Sequence, residues 1–234
     1  MKNKLSQRLQ ICLEALRPLK TMADIGTDHA YLPCIGILSK QLQKAVAIDI
    51  APGPLKQAQM TIQSYGYEAS IETRLGSGLK PLVPGEVEGA VIAGMGGRLI
   101  GDILRESKEV VQSLSRLVLQ PNMAAHFVRE ALRDLGVPIV DEHIVLEDGH
   151  VYEVIVARPV DGNQKTVNNS QADIKFGPIL RLNPKHPAFA SKWQGELEKI
   201  EIALKNLPPF HEKREPFEHE RQLIKDVLSH DFNQ

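Results

Sequence analysis

Residues 23–33, ADIGTDHAYLP, crowd one glycine, two aspartates and a histidine into the turn that follows a short apolar run. When a strand feeds a helix, that turn is where the anionic part of a ligand usually rests. The helix offers unpaired N–H groups, and a glycine such as Gly26 lets the ligand approach the backbone. A pyrophosphate site would show G-x-G-x-x-G, whereas this turn carries Asp24 and Asp28. Two carboxylates repel phosphate and suit cationic groups, while the helix N–H groups can still take a carboxylate. Singly, each acid also reads as an ordinary turn or cap residue.

A third acid, Asp49, ends the next β-rich run, where a carboxylate can accept two ribose hydroxyls. Ammonium, sulfonium, carboxylate and ribose together describe S-adenosylmethionine. Further along, VIAGMGGRLIG (residues 91–101) again sets glycines after an apolar run. A nicotinamide dinucleotide reading could start at Gly94, but Gly94, Gly96 and Gly97 miss that fingerprint. The following run ends in Leu119-Gln120-Pro121-Asn122, with no acid for a ribose. The remaining use of Gly94 to Gly97 is steric, a slot for a flat base beside the transferable methyl, with plain tight packing as the alternative. Asn122 either pairs with a base edge or caps a helix starting at Met123. Pro33-Cys34 imitates a cytosine-methylase motif at the wrong place in the chain, so Cys34 is expected in the core. The histidines other than His29 show no metal-ligand spacing.

The elements that would hold these residues alternate. Short β-rich runs at 22–25, 45–50, 70–75, 90–93 and 116–119 are separated by helical stretches at 32–42, 54–65, 99–111 and 123–135, the rhythm of a parallel sheet. An amphipathic helix bearing Leu5, Leu9, Cys12, Leu13 and Leu16 precedes them and ends at Pro18. After Gly136 two runs, 139–146 and 151–157, flank Glu147-Asp148-Gly149-His150, an antiparallel hairpin signal. The expected fold is α/β, a class I (Rossmann-like) methyltransferase domain whose parallel sheet is closed by that hairpin; any doubly wound domain is the alternative. Residues 160–173 read as a linker. Trp193, Leu197, Ile200, Leu204 and Leu207 then form a heptad stripe stopped by Pro208-Pro209, and Phe217, Ile224, Val227 and Leu228 mark a second helix. This predicts a domain over 1–160 and a C-terminal, coiled-coil-like helical hairpin within 161–234.

Composition agrees with that division. The 234 residues are 42% hydrophobic and 24% charged, a globular balance with room for one sizeable core and an appendage. No apolar run approaches the roughly 20 residues that cross a bilayer, and MKNKLSQRLQ lacks the apolar centre of a signal peptide. A cytoplasmic location, no membrane partner, no metal and a monomer are expected. Two cysteines, Cys12 and Cys34, are too few for a disulfide framework. The net charge of −1 argues against wholesale attraction to nucleic acid but leaves room for a basic patch.

ADIGTDHAYLPC, AGMGGRLI, LQPN and EDGHVYEVIVA, in this order and followed by a helical hairpin, closely resemble the bacterial tRNA (adenine(22)-N1)-methyltransferase family, TrmK, over almost the whole chain. The resemblance implies an S-adenosylmethionine-dependent enzyme that methylates N1 of an adenine in the D-arm region of tRNA. It places Asp24, Gly26, Thr27, Asp28 and His29 in the cofactor loop and Asp49 at the acidic ribose position, where relatives often carry Glu. Gly76, Ser77 and Gly78 fall where an acid or amide usually meets the cofactor's adenine, so Ser77 is a departure with a shorter reach. Ala93, Gly94 and Met95 fall on the cofactor side, and Gly96, Gly97, Arg98, Gln120, Pro121 and Asn122 on the substrate side.

Methylation at a ring nitrogen needs little activation of the lone pair, so positioning should dominate, worth about 7–11 kcal/mol. The product carries positive charge until a proton leaves, so a nearby acceptor should stabilise the transition state. Asp28 is the first candidate. His29 could accept the proton or orient the base, or be a hydrogen-bonded structural residue, and Asn122 completes the catalytic set. A folded tRNA hides its adenines, so the target must be extruded and its backbone held. Candidate holders are Lys2, Lys4, Arg8, Arg17 and Lys20, then Arg98, then Arg181, Lys185 and Lys192. A methyltransferase of another substrate, protein or small molecule, and a non-catalytic adenosine-ligand or RNA-binding module are the alternatives.

Overall fold

The computed structural model of the chain describes residues 4–159 and 170–229. Seven strands form one sheet in the order β3-β2-β1-β4-β5-β7-β6. Strands β1 (Thr21–Ile25), β2 (Lys44–Asp49), β3 (Ile71–Leu75), β4 (Gly89–Gly96) and β5 (Arg116–Met123) are parallel, and β6 (Ile139–Glu147) and β7 (His150–Ala157) add the antiparallel pair. The central runs are almost wholly apolar because helices cover both faces. Helices α1 (Gln7–Ala15), α2 (Tyr31–Leu38) and α3 (Pro52–Tyr65) cover one face through Leu13, Leu32 and Ile62. On the other lie α4 (Gly97–Glu106), α5 (Lys108–Ser113) and α6 (His126–Asp134), with Ile100, Leu104, Val111 and Leu132. Strand order reverses between β1 and β4, and the carboxyl ends of those two strands form the crevice where ligands of open α/β sheets bind.

The methyltransferase-like topology follows the alternation in the sequence, and the hairpin turns where Asp148-Gly149 predicts. Both residues have positive φ, 50° and 78°, as a two-residue turn matching the strand twist requires. Three expectations are corrected. β4 and β5 run on through Gly96 and Met123 rather than stopping at the apolar residues, with a register irregularity where Met95 faces Pro121. Proline has no N–H for the ladder, so the pairing shifts there. Asn122 therefore lies in a strand and caps no helix; α6 starts at His126 with Ala125 at its cap. The single helix expected over 99–111 is two, broken at Ser107.

Most of the expected linker, 160–169, lies outside the described residues. Its end is helical: Ser170 and Asp173 form a capping box for α7 (Gln171–Phe176). The heptad stripe lies on α8 (Pro187–Asn206), which folds onto α9 (Arg214–Ser229) around Trp193, Ile200, Leu204, Ile224 and Val227. Ile144 of β6 joins the same cluster, so the helices pack on each other and on the sheet edge. Beside it Arg129 of α6, 1% exposed, pairs with Glu142 at 2.8 Å and Glu153 at 2.5 Å. Glu153 also takes Lys192 of α8, and Glu142 accepts the backbone N–H groups of Ile179 and Leu180. The members of this buried group come from α6, β6, β7, α8 and the 179–180 stretch, so it ties the C-terminal region to the sheet.

Candidate active site

A cavity of about 290 Å3 opens at the carboxyl ends of β1 and β4. Its floor is the end of β1 and the loop after it, with Asp24, Gly26, Thr27, Asp28 and His29 all in the lining. The Gly26 and Thr27 N–H groups donate to the Ile48 carbonyl, at 2.8 and 3.0 Å, holding the loop against β2. Asp28 and Ala30 adopt positive φ, 50° and 53°, a conformation that costs non-glycine residues energy and recurs at functional sites. The strain turns the Asp28 carboxylate outward, 69% exposed, while Asp24 stays buried and accepts the Thr27 hydroxyl at 2.7 Å. Burial pushes the Asp24 carboxyl up to about 6; the Thr27 hydrogen bond opposes that rise, and the charge of Asp49 adds to it.

His29 stacks on Tyr31, centroids 5.3 Å apart, with its Nε2 3.6 Å from Asp28 Oδ2 and its Nδ1 enclosed without a hydrogen-bond partner. The opposite wall is a polar network from three elements. Gln120, fully buried, accepts from Arg8 at 2.6 Å and from the Gly94 N–H at 3.2 Å, and its amide donates to Asn122 at 3.2 Å. Asn122 in turn donates to the Gly94 carbonyl at 2.8 Å. Arg8 is further held by Glu147 at 3.6 Å and lies over the Tyr152 ring at 5.2 Å. Arg8, Ala93, Gly94 and Asn122 thus face the acidic loop across the cavity.

Several sequence-predicted residues have other tasks. Gln120 spends its amide inside the wall and positions Asn122, and Pro121 is buried beside it. Gly97 belongs to no open slot: a Cβ there would lie 2.1 Å from the Ala124 carbonyl oxygen, so the glycine seats α4 on the turn after β5. Gly94 and Gly96 do stand clear of their neighbours. The notch at Gly26 is filled by the Met95 methyl, 2.3 Å from where a Cβ would stand, but that flexible side chain can move, so it is the φ of +71° that favours the glycine. Asp49 stands beside the cavity with its carboxylate on the N–H groups of Ala51 and Asp28, at 2.9 and 3.4 Å. The Gly76 N–H meets the Asp49 carbonyl at 2.9 Å, which brings the Gly76-Ser77-Gly78 turn next to it. Arg98 is exposed outside the cavity.

The basic grouping divides. Arg8 lines the cavity, Arg181 binds Asp173 at 2.6 Å and Lys192 binds Glu153, so these three serve the fold or the site rather than a free basic surface. Lys4, Arg17, Lys20, Arg98 and Lys185 are exposed, and Lys2 lies outside the described residues. Arg8 and Tyr31 are the site residues that the sequence reading assigned elsewhere or passed over. Burial pushes the Cys34 thiol up to about 12, and the charge of Asp24 adds to it, so no thiolate nucleophile is present there. Among the described residues no helix is long and apolar enough to cross a membrane, and no cluster of three His, Cys, Asp or Glu is arranged to hold a metal ion.

The residues present fit S-adenosylmethionine. The acids of the β1 loop suit an ammonium and a sulfonium, Arg8 across the cavity suits a carboxylate, and Asp49 lies where a ribose would reach the end of β2. Comparison with known proteins points the same way. A curated tRNA (adenine(22)-N(1))-methyltransferase of Bacillus subtilis is 36% identical, covering 97% of this chain and 98% of that protein. The crystal structure of the B. subtilis M1A22 tRNA methyltransferase TrmK superposes with a TM-score of 0.87 at 34% identity, covering 97% of this chain and all of that one, 100%. A Streptococcus pneumoniae protein in complex with S-adenosyl-L-methionine gives a TM-score of 0.86 at 34% identity, over 96% of this chain and 100% of that one. With the family model matching residues 22–230 as well, this chain belongs to the tRNA (adenine(22)-N(1))-methyltransferase family, TrmK.

Proposed function

We propose that this chain transfers a methyl group from S-adenosylmethionine to N1 of adenine 22 in tRNA, with the cavity between the β1 loop and the Gly94–Asn122 wall as the place of reaction. The observation that carries the reading is one cavity lined by Asp24, Asp28 and Arg8, with the open backbone of Gly94 between them. Asp24, Gly26, Thr27, Asp28, Asp49, Gly76, Ser77, Gly78, Ala93, Gly94 and Met95 form the cofactor side, and we add Arg8 as the partner of its carboxylate. When bound, the cofactor supplies an activated methyl group on a sulfonium. Gly96, Arg98 and Asn122 form the substrate side, with Gln120 holding Asn122 in place.

Asp28 has an exposed carboxylate fixed by a strained backbone, so it can face the positive charge that develops on the adenine as N1 is methylated. His29, with Nδ1 unpartnered and its ring stacked on Tyr31, takes the proton released from the exocyclic amine or orients the base. Asn122 offers its side-chain oxygen and amide at the edge of the cavity, already oriented by Gln120 and Gly94. The working unit is a monomer in the cytoplasm, with residues 1–160 as the catalytic domain and 161–234 as linker and helical domain.

The test is nucleoside analysis. Transcribed tRNA incubated with the protein and S-adenosylmethionine, then digested, should yield 1-methyladenosine. Methylation at the exocyclic amine instead, or on protein but not RNA, would replace this reading.

A further inference from the structure

Just beyond the Asn122 edge of the cavity lie an exposed methionine, an exposed arginine and a half-buried phenylalanine. Met123, the last residue of β5, is 72% exposed although it neighbours the buried Pro121 and the cavity residue Asn122. It is followed by Ala124 at φ 55°, a strained turn clamped against Gly97. Phe127, in the first turn of α6, is half-buried, and the guanidinium of Arg98, in the first turn of α4, lies 4.2 Å over its ring. His126 tilts against the same ring at 4.2 Å. An exposed methionine thus stands beside a cation–π pair next to the Asn122 edge of the cavity.

We infer that Met123, Phe127 and Arg98 form a stacking platform for a tRNA nucleotide flanking the target adenine. The inference rests on the tRNA reading above and names how the substrate is held. Every base has an apolar π-face, which suits a surface of methionine, aromatic ring and guanidinium plane, and the Arg98 charge meets the negative backbone. Such a surface reads no sequence; it catches the strand that must unstack when the target base leaves the helix. Its position fits that task, since Met123 directly follows Asn122 and pairs with Gly96 across the strand end. A protein partner would also cover an apolar patch, yet a cation–π pair beside the reaction cavity favours a nucleobase.

The experiment uses the full chain and a tRNA transcript carrying 2-aminopurine on one side of the target adenine or the other. Wild-type protein should quench one of the two probes on binding. Met123→Ala and Phe127→Leu should each lose that quenching and raise KM for tRNA about tenfold, with the smaller share of the effect on kcat, while calorimetry with S-adenosylmethionine shows the fold and cofactor site intact. Met123 is exposed enough that its truncation leaves the fold unstrained. If both variants keep wild-type quenching and KM while the enzyme methylates tRNA, the platform is overturned and the tRNA reading stands. If the wild-type protein neither quenches a probe nor methylates the transcript, both fall together.

Discussion

Asp24 at the end of β1 and Asp28 in the loop after it meet different surroundings, and this divides their tasks. Asp28 is exposed, so its worth lies in facing charge within the cavity. Asp28→Ala should lower kcat about 100-fold or more in initial-rate assays with labelled cofactor, and a variant with near-normal turnover would remove Asp28 from the chemistry. Asp24 is buried, and its carboxyl, raised from 3.8 to about 6, gives a pH signature. A raised acid in the folded state binds a proton more readily than in the unfolded chain, so its penalty to cofactor-free stability grows from about pH 4 and is complete above about 6. A cationic ligand favours the ionised form. Affinity for S-adenosylmethionine should therefore weaken up to tenfold per unit as pH falls below about 6, and Asp24→Asn should flatten that slope while raising the melting temperature of the free protein at neutral pH. Calorimetry across this range reads the first effect and thermal melts read the second. The acids were legible because carboxylates in a strand-to-helix turn contradict a phosphate site. Arg8 was not: nothing in a helical arginine near the N-terminus tells that Gln120, Glu147 and Tyr152 will hold it over a cavity.

At the scale of elements, the alternation of apolar runs and helical stretches carried the parallel sheet and the closing hairpin, since each strand is defined by its own residues. Strand lengths were less visible. β4 and β5 extend through glycines and a proline because each is the other's partner, and pairing across a sheet is not written in either segment alone. The same limit applies to Gly97, which reads as a gap for a ligand and proves to be a socket for the Ala124 backbone. Gly97→Ala cannot be relieved by a side-chain rotation, because the obstacle is main chain. It should destabilise the protein by about 1–3 kcal/mol in denaturant melts and lower activity by moving Asn122, whereas Gly96→Ala, with open space around it, should melt like the wild type.

For the whole molecule, a buried ionic group joins the apolar packing at Ile144 in tying the sheet to the C-terminal helices. Burial works to raise the Glu153 carboxyl, but the charges of Arg129 and Lys192 outweigh it and hold it below its ordinary 4.5. A depressed acid stabilises the fold above its unfolded value, and that contribution is lost as pH falls through the lower, folded value, so acid should loosen this junction below about pH 4.5. Arg129→Leu leaves Glu142 buried without its cation and Glu153 with Lys192 alone, and should cost about 3–5 kcal/mol, read as a fall of roughly ten degrees in melting temperature. The heptad stripe announced the helical hairpin, but the ionic tie was invisible because its members lie far apart in sequence and each reads as a surface charge. The whole account turns on the loop after β1 holding a methyl donor beside an extruded adenine. The most direct measurement is transfer of label from S-adenosylmethionine to two tRNA transcripts that differ only in adenine or guanine at position 22. Label in the adenine transcript alone is the predicted result; equal label in both, or in neither, would contradict it.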